Sequence, residues 1–247
     1  MSDKNYLKRT VIKESINSRF LNEERPVRIY LPPGYNELVS YPIVYTQDGQ
    51  DAFMYGRIAT IANYLILEKG MEPIIIVGVD VDKKKRTSEY SPIGSRHDAY
   101  KRFFVEELCP FIESRYELRQ NGISRVLLGD SLGATVSLHI ALDHPDWFHY
   151  VISLSGAFLN PSLEQLATEP HLEWLNMWML IGTQETEVET HMGTFDFLDW
   201  NRRAKAVLEE KGADITYLEK EGQHIWGFWQ KHLPDCLMHY FGPDKQA

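Results

Sequence analysis

The chain has 247 residues, of which 43% are hydrophobic and 25% charged, and its formal net charge is −9. This composition suits one globular α/β domain, and the acidic balance argues against nucleic-acid binding, which needs a clustered basic surface. No stretch is long and apolar enough to span a membrane, and the first residues lack the apolar core of a secretory signal, so we expect a cytoplasmic protein.

Short apolar runs bounded by turn residues predict strands along the whole chain. The run at 9–16 is the weakest, and the run at 27–31 ends at the turn Pro32-Pro33-Gly34. The inner runs are continuously apolar, which is typical of strands buried on both faces of a mostly parallel sheet. The predicted strands are 9–16, 27–31, 41–46, 73–79, 125–128, 150–154, 177–181 and 214–218.

Helical segments alternate with these strands. The predicted helices are 58–68, 98–116, 134–142, 196–211 and 224–240, the last with a break or kink at Pro234. Such alternation predicts a single α/β domain over residues 1–247, with helices on both faces of the sheet. Ligands of such sheets bind beyond the carboxyl ends of the strands.

The stretch from Gly129 to Gly133 has the form Gly-x-Ser-x-Gly and lies between the strand 125–128 and the helix 134–142. A serine on this strand-to-helix turn can point its hydroxyl away from the sheet, and the helix N-terminus favours developing negative charge. The context predicts that Ser131 is a nucleophile.

A serine nucleophile needs a base and an anion that orients the base. Among nine histidines, His224 is the candidate base, because it follows the strand 214–218 in a loop that opens the last helix. His191, in a loop, is the runner-up. The acid should follow the strand 177–181, where Glu185 is the first carboxylate.

Two other carboxylates, Glu187 and Asp196, remain open as the acid. The predicted oxyanion donors are the backbone N–H groups of Leu132, directly after the nucleophile, and of Gln50, in the loop after the strand 41–46. No metal or cofactor is expected, because the histidine spacing does not suit a metal site and no phosphate-binding loop is present. Cys109 and Cys236 are expected to be buried free thiols.

The remaining features concern the surroundings of this turn. The basic run at 83–86 has acidic neighbours and predicts a solvated loop. Aromatic side chains near the proposed loops could line a substrate pocket, and the candidates are Phe53, Tyr90 and Trp226. No large insertion suggests a lid, so we expect an open site for substrates of small to medium size.

With these motifs in place, the chain resembles the putative-esterase family of α/β hydrolases, which includes esterase D, feruloyl esterases, enterochelin-type siderophore esterases and mycobacterial mycolyl transferases. The resemblance runs from about Val27 to Tyr240. Its markers are the segments 30–35, 47–50, 86–92, 104–113, 129–133 and 222–226.

The resemblance implies an α/β-hydrolase fold with little or no lid, and hydrolysis of carboxylic esters or thioesters without a cofactor. It also implies Ser131 as nucleophile, His224 as base and Gln50 as an oxyanion donor. The family acid is often an aspartate, whereas Glu185 stands at that position here. Arg86, Glu89 and Tyr90 resemble a family scaffold motif.

The main hypothesis is therefore a serine carboxylic-ester hydrolase that acts on a small-molecule ester. A siderophore trilactone esterase and an acyltransferase are alternatives with the same fold. A non-catalytic binding module on a hydrolase scaffold is the alternative from another class. Neither a nucleic acid nor a membrane is expected as a partner, and the sequence leaves homo-oligomerisation open.

Overall fold

The computed structural model describes residues 7–120 and 123–245. Residues 1–6, where no secretory signal is expected, and the ends of the predicted domain 1–247 lie outside them. The strands are β1 Thr10–Ser18, β2 Glu23–Leu31, β3 Ile43–Thr46, β4 Ile75–Val79, β5 Arg125–Asp130, β6 Tyr150–Leu154, β7 Asn176–Gly182, β8 Val188–Thr190, β9 Gly193–Phe195 and β10 Asp214–Lys220. The α-helices are α1 Gly49–Met54, α2 Ile58–Lys69, α3 Arg86–Tyr90, α4 His97–Phe103, α5 Cys109–Glu113, α6 Leu132–Asp143, α7 Asn160–Thr168, α8 Phe197–Glu210 and α9 Trp226–Phe241.

One compact unit comprises the described residues within Met1–Val81, Arg102–Arg125 and Trp229–Ala247. Its strands lie in the order β1-β2-β4-β3. β1 and β2 pair antiparallel, as do β2 and β4, whereas β3 and β4 are parallel. β3 and β4 are buried over their whole length, which accounts for their continuous apolar sequence.

The second unit comprises Asp82–Lys101 and Val126–Phe228. Its strands lie in the order β5-β6-β7-β10, and every pairing is parallel. The register places Asp130 beside Leu154, and Leu154 beside Leu180. The carboxyl ends of these strands therefore share one edge, and the segments that follow them begin side by side.

The predicted helix over 98–116 is not one regular helix. It consists of α4, a π-helical turn over Phe104–Leu108, and α5, which ends at Glu113. Pro110 has no N–H to bond four residues back, which accounts for the interrupted ladder. The extra residue of the π-turn lets Phe103, Phe104 and Leu108 all be fully buried.

Several short elements were not predicted: α1, α3, α7 and the β8–β9 hairpin. β8 and β9 form a separate two-stranded antiparallel sheet. The last helix continues through Pro234 and is not broken there. Within the described part of the chain, the helices are too short or too polar to cross a membrane. The single domain over 1–247 stays a prediction.

Candidate active site

Four side chains with catalytic chemistry follow the four adjacent parallel strands of the second unit. Ser131 follows β5, Ser155 follows β6, Glu185 follows β7 and His224 follows β10. Because parallel strands end at one edge, these residues are delivered to the same side of the sheet. The predicted nucleophile, acid and base are thus attached to a common scaffold.

Ser131 occupies a strained turn between β5 and α6. Its φ of 54° and ψ of −124° lie outside the helical and extended regions, which a non-glycine residue adopts only when its surroundings enforce it. Its N–H donates to Leu154 O at 2.9 Å, and its carbonyl accepts from Ala157 N at 3.1 Å. The segment at the end of β6 therefore holds the turn in place.

The glycines of the motif permit the close approach of strand and helix. A Cβ atom on Gly129 would lie 2.1 Å from the carbonyl carbon of Gly133, which is far inside van der Waals contact. α6 is buried along nearly its entire length, so it cannot shift outward to make room. Only a residue without a side chain fits at Gly129, which accounts for this part of the motif.

Glu185 and His224 form a short hydrogen bond. The imidazole Nδ1 lies 2.6 Å from Glu185 Oε2. A carboxylate can only accept, so Nδ1 carries the proton and Nε2 of a neutral ring is left as the acceptor. The Glu185 side chain is fully buried, and that of His224 is 16% exposed. This is the arrangement of an oriented general base.

The second oxygen of Glu185 is also bound. Oε1 accepts hydrogen bonds from the Ser155 hydroxyl at 2.7 Å and from the Gly182 N–H at 2.9 Å. A buried carboxylate needs such donors to offset its lost hydration. The sequence reasoning missed Ser155, although it follows a predicted strand directly, as Ser131 does.

Further contacts fix the loops that carry the acid and the base. A Cβ atom on Gly182 would lie 2.4 Å from Gly222 O, so the segments after β7 and β10 are in close contact. The buried ring of Phe197 packs on the imidazole of His224, with centroids 4.3 Å apart. Phe197 N also donates to Glu185 O at 2.9 Å. Both side chains are therefore held in defined orientations.

The other candidate acids and the other candidate base have different surroundings. Glu187 is exposed. Asp196 caps α8 by accepting the Asp199 N–H at 2.8 Å. Nε2 of His191 lies 2.8 Å from Thr87 Oγ1. Of the three candidate carboxylates, the structure brings Glu185 to His224.

The two predicted oxyanion donors each lie in the first turn of a helix, where N–H groups have no acceptor within the helix. Leu132 opens α6, directly after Ser131. Gln50 belongs to the other unit, where its side chain forms two 3.0 Å hydrogen bonds with the backbone of Val81. The role of both N–H groups stays a prediction.

The three aromatic candidates for a substrate pocket differ in accessibility. Tyr90 is fully buried and packs on Tyr100 and under Arg86, so it offers no surface to a ligand in this structure. Phe53 is half-buried and lies against Gly78 of β4. Trp226 is half-buried at the start of α9, two residues after His224.

Arg86 connects the family-like motif to the serine turn. Its guanidinium donates to the carbonyl of Asp130 at 3.2 Å, and Asp130 precedes Ser131. The Tyr90 ring lies 5.2 Å from the guanidinium carbon. Glu89 is fully buried in an ion pair with Arg96. These contacts agree with the predicted scaffold role of the motif.

Two buried histidines lie on and near α6. The rings of His97 and His139 meet edge to face, with centroids 5.2 Å apart, and His139 Nε2 is 2.9 Å from Ser162 Oγ. Burial, with the neighbouring His97 and Lys101, lowers the pKa of His139 to about 3. Burial also lowers the pKa of His97. Among the described residues, no three His, Cys, Asp or Glu side chains cluster as metal ligands.

Fold and site together define an α/β hydrolase, with a mostly parallel central sheet surrounded by helices. Residues 18–240 match the model of the family described as "Putative esterase". The chain belongs to this family and is an esterase.

The chain is also similar to individual proteins. It is 40% identical over 230 residues to the uncharacterized protein YjcH of Bacillus subtilis, covering 92% of this chain and 96% of that one. Its fold matches a ferulic acid esterase with a TM-score of 0.81 at 18% identity, over 95% of this chain and 98% of that one. It also matches the ferric enterobactin esterase of Salmonella typhimurium, with a TM-score of 0.81 at 20% identity, over 96% of this chain and 60% of that one.

Proposed function

We propose that this esterase hydrolyses carboxylic esters of small to medium size through an acyl-enzyme on Ser131, with His224 as general base and Glu185 as its orienting acid. The observation that carries the proposal is the 2.6 Å hydrogen bond between buried Glu185 and His224. The strained turn of Ser131, at the carboxyl end of β5 on the same edge of the sheet, supports it.

The reaction takes two balanced steps. Ser131 Oγ attacks the ester carbonyl while His224 Nε2 takes the hydroxyl proton, and the proton then passes to the departing alcohol. In the second step, His224 deprotonates a water molecule that attacks the acyl-enzyme, and the acid is released as Ser131 regains its proton. Glu185 stabilises the imidazolium formed in each step.

Negative charge on the carbonyl oxygen needs donors that are already in place. The N–H groups of Leu132 and Gln50 are our proposed donors, because each lies in the first turn of a helix. Trp226, two residues from the base, is the proposed aromatic contact for the substrate. A cytoplasmic location stays a prediction, and homo-oligomerisation stays open.

A siderophore trilactone esterase is a second candidate. The structural likeness to the ferric enterobactin esterase favours it as an alternative, although at 20% identity that likeness concerns the fold. Turnover of a ferric trilactone in competition with simple aryl esters separates the two. A preference for the trilactone would replace our proposal with this one.

Labelling with a fluorophosphonate probe, followed by peptide mass spectrometry, tests the nucleophile. We expect the label on Ser131, no labelling of Ser131→Ala, and loss of p-nitrophenyl acetate hydrolysis in that variant. Ser114→Ala, which removes an exposed hydroxyl from the end of α5, is the control and keeps full activity. Failure to label Ser131 in the folded protein would favour a non-catalytic binding module.

A further inference from the structure

The segment after β4 and the tip of the β8–β9 hairpin line an open cavity of about 570 Å³ in the second unit. Binding sites for small organic molecules fall in this range of volume. The side chains that determine its chemistry are Lys83, Lys84, Ser91, Ile93, His191 and Met192.

One hydrogen bond joins the two walls of the cavity, and others stabilise the wall formed by residues 85–96. Thr87 Oγ1 lies 2.8 Å from His191 Nε2, which joins α3 to the hairpin tip. The Ser88 hydroxyl donates to Lys85 O at 2.7 Å, and Ser88 O accepts the Arg96 N–H at 2.9 Å. Hydrogen bonds therefore hold the segments that form the cavity walls in place.

Positive charge collects at this cavity on a chain whose net charge is −9. Lys83 and Lys84 line it, and both are exposed. The nearby Asp82 carboxylate accepts the backbone N–H of Lys84. The basic run is thus part of a cavity wall and not only a solvated loop.

Ser91 supplies a hydroxyl that has no partner. Its side chain is 1% exposed, and its Oγ is buried with no hydrogen-bond partner among the described residues. A buried polar atom left in this state costs stability, and such atoms are often found where a ligand completes the bonding. Ser91 is one of the residues that line the cavity, so this unsatisfied hydroxyl belongs to the cavity wall.

The cavity also has an apolar part. Ile93 is 73% exposed and Met192 is 38% exposed, and both line the cavity. Two lysines and a hydroxyl suit an oxyanion, and these two side chains suit a short hydrocarbon segment. The combination matches an organic anion better than an inorganic one.

The cavity is linked to the candidate active site from both walls. Arg86, next to cavity residue Thr87, binds the carbonyl of Asp130, which precedes Ser131. His191 belongs to the hairpin that follows Glu185 by three residues. The two cavity walls are therefore connected, through Arg86 and through the chain after Glu185, to the segments that carry the proposed nucleophile and acid.

We propose that this cavity binds the carboxylate end of the substrate, so that the enzyme prefers esters that carry a terminal carboxylate over neutral esters of equal length. This inference rests on the proposed function. Lys83 and Lys84 attract the carboxylate, the Ser91 hydroxyl donates to it, and Ile93 and Met192 contact the chain between carboxylate and ester.

The test compares the 4-nitrophenyl monoester of glutaric acid with 4-nitrophenyl pentanoate. We expect kcat/KM to be higher for the glutarate ester, and higher salt to reduce that preference. Replacing both lysines (Lys83→Gln, Lys84→Gln), or Ser91→Ala, should lower kcat/KM for the glutarate ester by roughly tenfold and leave the pentanoate ester nearly unchanged. The pair Lys205→Gln, Lys211→Gln on α8 and its C-terminus removes the same charge elsewhere and should preserve the preference.

Binding of glutarate to Ser131→Ala, measured by calorimetry, is independent of turnover and should weaken in the lysine variant. Hydrolysis that depends on Ser131 but shows no glutarate preference, or lysine variants that lose both esters equally, would overturn this inference alone. Absence of Ser131-dependent hydrolysis of either ester would instead overturn the proposed function. Glutarate binding that persists unchanged without the lysines would also refute the cavity assignment.

Discussion

The hydroxyl of Ser155 donates a 2.7 Å hydrogen bond to Oε1 of Glu185, the carboxylate oxygen that His224 does not use. Ser155 itself has a φ of 50°, in the left-handed region. Its N–H is held by Leu180 O at 2.7 Å. Ser155 therefore contacts the proposed acid and not the proposed base, and we expect it to be a positioning residue for Glu185.

Ser155→Gly tests this role, because glycine accepts the positive φ without strain and removes the hydroxyl together with its single methylene. We expect kcat to fall by roughly tenfold with KM little changed, since a hydrogen bond to a charged group is lost. Urea unfolding should show at most a modest change in stability. If kcat stays within twofold of the wild-type value, the hydroxyl has no positioning role.

Three carboxylate variants separate the candidate acids. Glu185→Gln keeps the shape of the side chain but removes the charge that stabilises the imidazolium, so kcat should fall by roughly 10³–10⁴, as for other triad acids. Glu187→Gln should leave kcat unchanged. Asp196→Ala should cost about 1 kcal/mol of stability through the lost helix cap without a comparable loss of kcat. Steady-state kinetics and urea denaturation of all three give the comparison, and a greater loss of kcat in Glu187→Gln would reject Glu185.

The buried His139 makes stability depend on pH. Its folded pKa of about 3 lies below the ordinary histidine value of 6.5, so between these pH values the unfolded chain binds a proton that the folded chain does not. Stability should therefore be complete above pH 6.5 and decline as the pH falls, by about 1.4 kcal/mol per pH unit for this group. His97, whose pKa is lowered too, acts in the same direction.

Urea unfolding of the wild type and His139→Gln between pH 7.5 and 4.5 measures the effect. Glutamine cannot be protonated and can still bond Ser162, so its stability should fall less steeply with pH. His171→Gln, at an exposed site, is the control and should follow the wild type. Parallel curves for the wild type and His139→Gln would contradict the assignment.

Gly129→Ala should disturb the serine turn. The added Cβ would lie 2.1 Å from a backbone atom of Gly133, and overpacking of this kind costs about 1–3 kcal/mol or more. We expect a lower urea midpoint and a loss of activity larger than the loss of folded protein. Gly227→Ala is the matched control, because its Cβ would meet no atom closer than 3.8 Å. Equal midpoints for the two variants would show that the turn can relax.

The sequence predicts the strands and the strand-to-helix turn at Ser131 well, because buried parallel strands are continuously apolar and their order determines which loops share an edge of the sheet. β6 was predicted with the observed bounds. The β8–β9 hairpin could not be predicted, because three-residue polar strands carry no periodic signal. The π-helical turn over Phe104–Leu108 was missed because its apolar residues also fit an α-helix.

The candidate active site likewise has parts that the sequence predicts and parts that it leaves open. Glu185 and His224 follow predicted strands, so their positions along the chain could be inferred. The choice between Glu185 and Asp196 could not be made from the sequence, because it depends on the loop geometry. Glu185 points toward His224, whereas Asp196 caps the N-terminus of a helix. Tyr90 lies close in sequence to the proposed site loops, but its ring is buried and packs against the guanidinium of Arg86.

The β8–β9 hairpin forms its own two-stranded sheet and pairs with neither β6 nor β10, the strands on either side of β7. We therefore expect insertions or replacements at its tip, around His191, to leave β7 and the position of Glu185 unchanged. If the cavity at this tip binds the substrate as we propose, ester selectivity can change in the hairpin while β7 and Glu185 are retained, so a redesign for a new ester should randomise the hairpin before the strands.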